Sequence, residues 1–196
     1  THSRWVPFSL AGRFGSVIMT IGHSTRSLDD FVELLRAHDV SVIVDVRRFP
    51  ASRRHPHFAS APLARGLELR GIGYTHDEAL GGRRAASPGS ANTALRDPGF
   101  RGYADHMCSD GFRSALRQLV EAGGRASVAV MCAEAVPWRC HRWLLSDALV
   151  ASGVAVEHIV GAGPRRAHHL NPMAVEQGGC ITYPGQPSLP LQQRQG

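Results

Sequence analysis

The chain predicts an α/β fold, a three-layer sandwich built on a mostly parallel five-stranded sheet, wound in a Rossmann-like or flavodoxin-like manner. Three observations carry that expectation. Strand patterns and helix patterns alternate five times along the sequence. Several strand candidates, such as SVIV and VAVM, are apolar on nearly every residue, which suits parallel strands covered on both faces. The length, 196 residues, leaves room for one domain with a real core but not for an eight-fold barrel.

The elements follow in order. Residues 1–16 carry no clear period and are expected to form a mobile arm, with the domain proper spanning 17–170. VIMTIG is the first strand, closed by Gly22, His23 and Ser24. SLDDFVELLRAHD is the first helix, with Ser27 as its cap and Asp30 three positions on as the acidic partner. Its Leu28, Phe31, Leu34 and Leu35 recur at helical spacing. SVIVDVR, residues 41–47, is the second strand, and a basic loop stiffened by Pro50 and Pro56 follows it. A helix over 63–70 leads to a third strand, GIGYTHD. Residues 80–99 are rich in Gly, Ala, Ser and Pro and read as a long surface loop of the kind that often serves as a lid. Residues 100–122 read as helix in two pieces, broken near Asp110 and Gly111. Strand four is Val128–Cys132, and the helix after Pro137, already containing Cys140, His141 and Arg142 in its first turn, runs to Gly153. VAVEHIVG is the fifth strand. Residues 171–196, rich in Gln and Pro toward their end, are expected to be an extended or disordered tail.

Composition narrows the function classes. A hydrophobic share of 43% and a charged share of 19% describe a globular chain, neither fibrous nor disordered. No apolar run approaches the roughly 20 residues of a membrane-spanning helix, and the opening segment lacks a secretory pattern, so a cytoplasmic protein without a membrane partner is expected. The net charge of +6 rests on arginine alone, since the sequence has no lysine. Arginine grips phosphate and carboxylate through a planar fork, which points to an anionic small molecule or nucleic acid as partner. The four cysteines, Cys108, Cys132, Cys140 and Cys180, include no closely spaced pair, so a structural zinc is not expected. A domain of this size does not need disulfides for stability, and reduced thiols are expected.

In a parallel sheet the strand ends share one rim, and ligands bind there. The chain places a reactive group at nearly every such end. Cys132, Glu134, Cys140, His141 and Arg142 fall within eleven residues, with His23 and Asp45 ending two other strands. These two thiols, two carboxylates and two imidazoles are the candidate catalytic groups: a thiolate for attack, a carboxylate and an imidazole to move protons. Adjacency in sequence does not make Cys140 and His141 a catalytic pair, so His23, His76 or His158 could equally supply the base. Ser24, Arg47, Ser52, Arg53, Tyr74, His76, Arg142 and His158 are the candidate substrate-binding groups. Ser24 lies at a strand-to-helix turn whose backbone N–H groups offer an anion seat, and Tyr74 and Trp138 could stack on a base. Each group also has a plainer reading: Cys132 as a small core residue, Glu134 as a neutraliser of arginine, and Asp45 with Arg47 as an ion pair that holds the loop.

The segments TIGHSTRSLDDF, DVRRFPASRRHPHF, YTHDEALGGRR, FRGYADHM, MCAEAVPWRCHR and VEHI together resemble the bacterial and archaeal family of domains of unknown function numbered 488. The resemblance runs from about Thr20 to Ile159 and implies a small, stand-alone cytoplasmic protein; it implies no reaction. Three function classes follow from the residues. The first is a thiol-dependent hydrolase or transferase acting on a phosphorylated or nucleotide-like substrate. The second is a nucleic-acid-binding module without chemistry, and the third a mononuclear metal protein using some of His23, His76, Cys132, Glu134, Cys140 and His158. The sequence assigns no cofactor and no oligomeric state.

Overall fold

The structure is a computed structural model that describes residues 17–185. The expected arm, 1–16, and the last part of the expected tail, 186–196, lie outside the described residues. The described chain runs β1 (Val17–Gly22), α1 (Leu28–Ala37), β2 (Val42–Asp45), α2 (Ser60–Glu68), β3 (Gly73–His76), α3 (Pro98–Met107) and α4 (Asp110–Gly123). It continues β4 (Val128–Cys132), α5 (Arg142–Ala151), β5 (Ala155–Ile159), β6 (Arg166–Ala167), β7 (Val175–Gln177) and β8 (Cys180–Thr182).

The main sheet has the order β3-β2-β4-β1-β5-β6. The first five strands are parallel, and the two-residue β6 adds an antiparallel edge to β5. One face carries a core of Phe31, Leu35, Leu63 and Leu67 from α1 and α2 over Ile21, Ile43 and Met131. The other carries Tyr103, Met107, Phe112, Leu119, Leu145 and Leu149 from α3, α4 and α5 over Ile18, Val44 and Val130. This is the three-layer α/β sandwich the alternation predicts, with one strand more in the sheet.

Local chemistry sets the helix starts. The Ser27 hydroxyl accepts from the Asp30 N–H at 3.1 Å and donates to the Asp30 carboxylate at 2.6 Å, closing the expected cap. Asp97 and Ser109 cap α3 and α4 in the same way. The fifth helix departs from expectation. Pro137 opens only a single 3₁₀ turn, and Cys140 is extended (φ −137, ψ 150), so α5 begins at Arg142 rather than within the first turn after Pro137.

The segment expected as an extended or disordered tail is, up to Gly185, bound to the domain. Gly178 and Gly179, at φ 61 and 76, make the tight turn between β7 and β8. Tyr183 beyond the hairpin is fully buried, and its hydroxyl donates to Asp147 on α5 at 2.7 Å. Cys180 in β8 forms a disulfide with Cys108 at the end of α3, their Cα atoms 5.0 Å apart. The expectation of reduced thiols therefore fails for this pair, because the hairpin folds back onto α3; Cys132 and Cys140 are free.

The long loop is tied down at its middle. Asp105 on α3 accepts from Ser87, Ser90 and Asn92, and Asn92 in turn accepts from the Tyr183 N–H at 2.8 Å.

Candidate active site

The strand order decides where a cleft can open. β4 and β1 are neighbours, but β1 feeds α1 on one face while β4 feeds α5 on the other. Chains leaving adjacent strands toward opposite faces leave a crevice at their carboxyl ends. Two hydrogen bonds carry the β1–β4 pairing past the strands: His23 N–H to Cys132 O at 3.0 Å and Ser24 N–H to Ala133 O at 2.9 Å. The anion seat expected of those two N–H groups is therefore absent, since both are spent on backbone carbonyls. Gly22 allows the close approach, because a β-carbon there would collide with the Glu134 carbonyl.

A cleft of about 540 Å³ lies over this junction. His23, Ser24, Arg47, Ser52, Arg53, Cys132, Glu134 and His141, all expected at the site, line it. Five arginines (Arg47, Arg48, Arg53, Arg54, Arg83) face a single carboxylate, Glu134, around its wall. Thr25, Phe49 and Gly82 also line it and have no counterpart in the sequence-derived site. Phe49 is 59% exposed and is the aromatic ring at the cleft; Trp138 and Tyr74 are not part of its wall.

The reactive centre is two sulfurs and one imidazole. His141 Nε2 donates to the Val46 carbonyl at 3.1 Å, so the neutral ring keeps its lone pair on Nδ1. That nitrogen stands 3.5 Å from Cys140 Sγ and 4.0 Å from Cys132 Sγ. The three donor atoms lie within 4.8 Å of one another, close enough to share one ion. Cys140 is buried and Cys132 opens on the cleft. The extended backbone at Cys140 makes this possible. On a regular helix the two side chains would splay apart by about 100°.

Their mutual hydrogen bond drives the two thiols in opposite directions. The hydrogen bond from Cys132, then His141 and Arg142, draws the Cys140 thiol well below its ordinary range. The same hydrogen bond, with burial, pushes Cys132 up, while Arg142 and the Glu134 N–H pull the other way. Arg142 is 1% exposed. One of its nitrogens donates to the Glu134 carbonyl, and its Nε has no partner. Among the described residues no carboxylate pairs with this guanidinium, and its charge adds to the lowering of the Cys140 thiol.

Besides the buried Cys140, four expected site residues stand behind the wall, and one more lies elsewhere. Asp45 is fully buried and accepts from the Arg47 backbone N–H and guanidinium, with Nε at 2.8 and 3.1 Å from its two oxygens, and from the Tyr74 hydroxyl at 2.8 Å. It thus positions Arg47 rather than meeting a ligand, and Tyr74 braces it from the edge strand. Burial, with Asp45 adjoining, pushes the Tyr74 hydroxyl up to about 12. His76 donates to the Arg47 carbonyl at 2.7 Å, and Arg142 is buried with its guanidinium on the Glu134 carbonyl. His23 lines the cleft but is committed: Nδ1 donates to Ser24 O at 2.9 Å, Nε2 faces Arg47, and the ring stacks on Phe58 at 4.1 Å. Burial, with the Arg47 charge adding, holds it down at about 4, so it is neutral.

His158 is not in the cleft. It belongs to a buried chain in which Thr20 Oγ1 lies 2.7 Å from His158 Nδ1, His158 Nε2 3.0 Å from His168 Nδ1, and His168 Nε2 2.8 Å from Asp147. Its ring plane and partners turn toward α5 and the tail. β5 lies beyond β1 from the crevice, which is the topological reason.

Against known families, the model for Domain of unknown function DUF488 matches residues 27–149. The chain belongs to the DUF488 family. The matched span holds the arginine loop and the whole Cys132–Arg142 segment, while His23, Ser24 and His158 of this DUF488 chain fall outside it. No curated protein matches the chain, and no solved structure does.

Proposed function

We propose that this DUF488 chain is a thiol-dependent hydrolase or transferase acting on a phosphorylated, nucleotide-type substrate. The observation that carries the reading is the position of Cys132 Sγ, half-buried at the wall of an arginine-lined cleft with His141 Nδ1 4.0 Å from it. Arg53, Arg54 and Arg83 hold the anion, and Phe49 offers a face for a base. As Cys132 sulfur bonds to the electrophilic centre, its proton passes to Cys140 or to His141 Nδ1. That proton goes on to the leaving oxygen, directly or through Glu134. Water, or an acceptor hydroxyl, then attacks the phosphorus, breaks the sulfur–phosphorus bond and returns its own proton to the pair.

Alkylation by iodoacetamide, followed site by site by mass spectrometry, tests this. Although its own thiol is pushed up, Cys132 can hand its proton to Cys140 or to His141 Nδ1 as its sulfur attacks, so it is expected to label faster at pH 6.5 than a free model thiol, and inorganic phosphate, pyrophosphate or a nucleoside diphosphate is expected to protect it. Cys132→Ser removes the fast site. Labelling no faster than the model thiol, or indifferent to all three anions, refutes the reading.

A further inference from the structure

We propose that Cys132, Cys140 and His141 form a zinc site with one open coordination position on the cleft, and that zinc there holds the protein in a thiol-inactive state. This rests on the thiol reading above and names a regulator of the same centre. Tetrahedral zinc with ordinary bond lengths spaces a sulfur and a nitrogen ligand by about 3.6 Å. The two sulfur-to-nitrogen distances here are 3.5 and 4.0 Å, so the donors stand at zinc spacing without rearrangement of the backbone.

A second observation supports the same ligand. Metal-bound imidazoles donate their other nitrogen to a carbonyl or carboxylate, which fixes the tautomer. His141 does this through Val46, so Nδ1 is presented as a bare lone pair between two sulfurs. Gly82 leaves the room: a β-carbon at that position would stand 2.6 Å from Nδ1. Two sulfurs and one imidazole suit zinc rather than magnesium or calcium, which take oxygen. Three protein ligands with the fourth position toward solvent is the arrangement of a site that exchanges ligands, not of a closed structural one.

Zinc binding forms two Zn–S bonds and one Zn–N bond, and the protons carried by the thiols leave to water. The sulfur lone pair required for attack and the imidazole lone pair required for proton transfer are then both occupied. Zinc and substrate thiolysis therefore exclude one another.

The test uses the untagged full chain prepared without chelator. Elemental analysis is expected to give about one zinc per chain. Cobalt(II) added to chelator-stripped protein is expected to give the intense visible bands of tetrahedral coordination with a thiolate charge-transfer band, both lost in Cys140→Ser and in His141→Gln but kept in Cys108→Ser. Stoichiometric zinc should slow iodoacetamide labelling of Cys132 about tenfold or more, with recovery on adding chelator. Absence of tetrahedral cobalt bands in the wild-type chain overturns the proposal, as do bands unchanged in Cys140→Ser, or labelling that zinc does not slow. Fast, anion-protected labelling without any metal uptake would remove the zinc site and leave the enzyme reading standing. Metal uptake with a sluggish stripped thiol would do the reverse.

Discussion

His141 serves two sulfurs because its other nitrogen is already committed to the Val46 carbonyl. Its place depends on a neighbour without a side chain. In Gly82→Ala the new methyl must displace the ring, since its β-carbon would sit 2.6 Å from Nδ1. The alkylation rate of Cys132 should fall about a hundredfold, the lower range of what a positioned base contributes, while the far-UV circular dichroism stays unchanged. An unchanged rate would show that His141 is not the base. A second residue-level consequence concerns acid. His23 and His158 are each held at about 4 from an ordinary 6.5, the first by burial and the Arg47 charge, the second by burial, His168 and Arg142. Above pH 6.5 both rings are neutral whether the chain is folded or not. As pH falls from 6.5 toward 4 the unfolded chain binds protons that the folded one refuses, so stability is lost across that window. The two together account for a loss on the order of 5 kcal/mol by pH 4, most of it below pH 6. Urea midpoints at pH 7, 6 and 5 measure it, and a flat profile between pH 7 and 5 contradicts it.

At the scale of elements, α5 has no solvent face to speak of. Leu144, Leu145, Ala148 and Leu149 pack toward the sheet side, yet Ser146 and Asp147 are fully buried as well. The tail explains this. Asp147 accepts from His168, from the Asn171 N–H and from Tyr183, so the chain after β5 wraps α5 and supplies the polar partners. Burial of this carboxylate depends on the hairpin staying in place, and the Cys108–Cys180 bond closes a span of 72 residues that holds it there. Cys180→Ser should lower stability by about 2–4 kcal/mol, read as a shift in the urea midpoint, and a reductant should do the same to the wild type but nothing to the variant. A wild type indifferent to reductant would refute the tether. The hairpin itself was not expected from the sequence, although Gly178-Gly179 between VEQ and CIT is a two-residue turn signal. It is masked by the Gln and Pro of the residues that follow. The start of α5 was not legible, because Pro137 is as good an opening for an α-helix as for a 3₁₀ turn, and only the pull of Cys140 toward Cys132 separates them.

Across the whole molecule, charge and topology act on the same place. No helix among the described residues is long and apolar enough to cross a membrane. The excess of arginine, +6 over the chain, is concentrated in the cleft wall, where five guanidinium groups meet one carboxylate. Arg47 is locked to Asp45, whereas Arg53 and Arg54 are exposed and free to meet an anion. Replacing both with Ala should weaken phosphate protection of Cys132 roughly tenfold, more at low salt than at high, and leave the unprotected labelling rate as it was. Protection unaltered by the change would place the anion elsewhere. The sequence by itself determined the alternation of strands and helices, the parallel sheet, the Ser27 cap, and the segments that carry thiol, imidazole and guanidinium groups, because each of these is written in local periodicity or residue type. It left open whether Asp45 pairs with Arg47 or meets a ligand, and it could not assign His158 to a buried chain behind α5 or His141 to the sulfurs. Those depend on strand order and on one extended residue, Cys140, whose backbone is set by what it packs against. Pairing between distant segments leaves no local pattern, so which strand ends face one another was decided only when the sheet closed around β4 and β1.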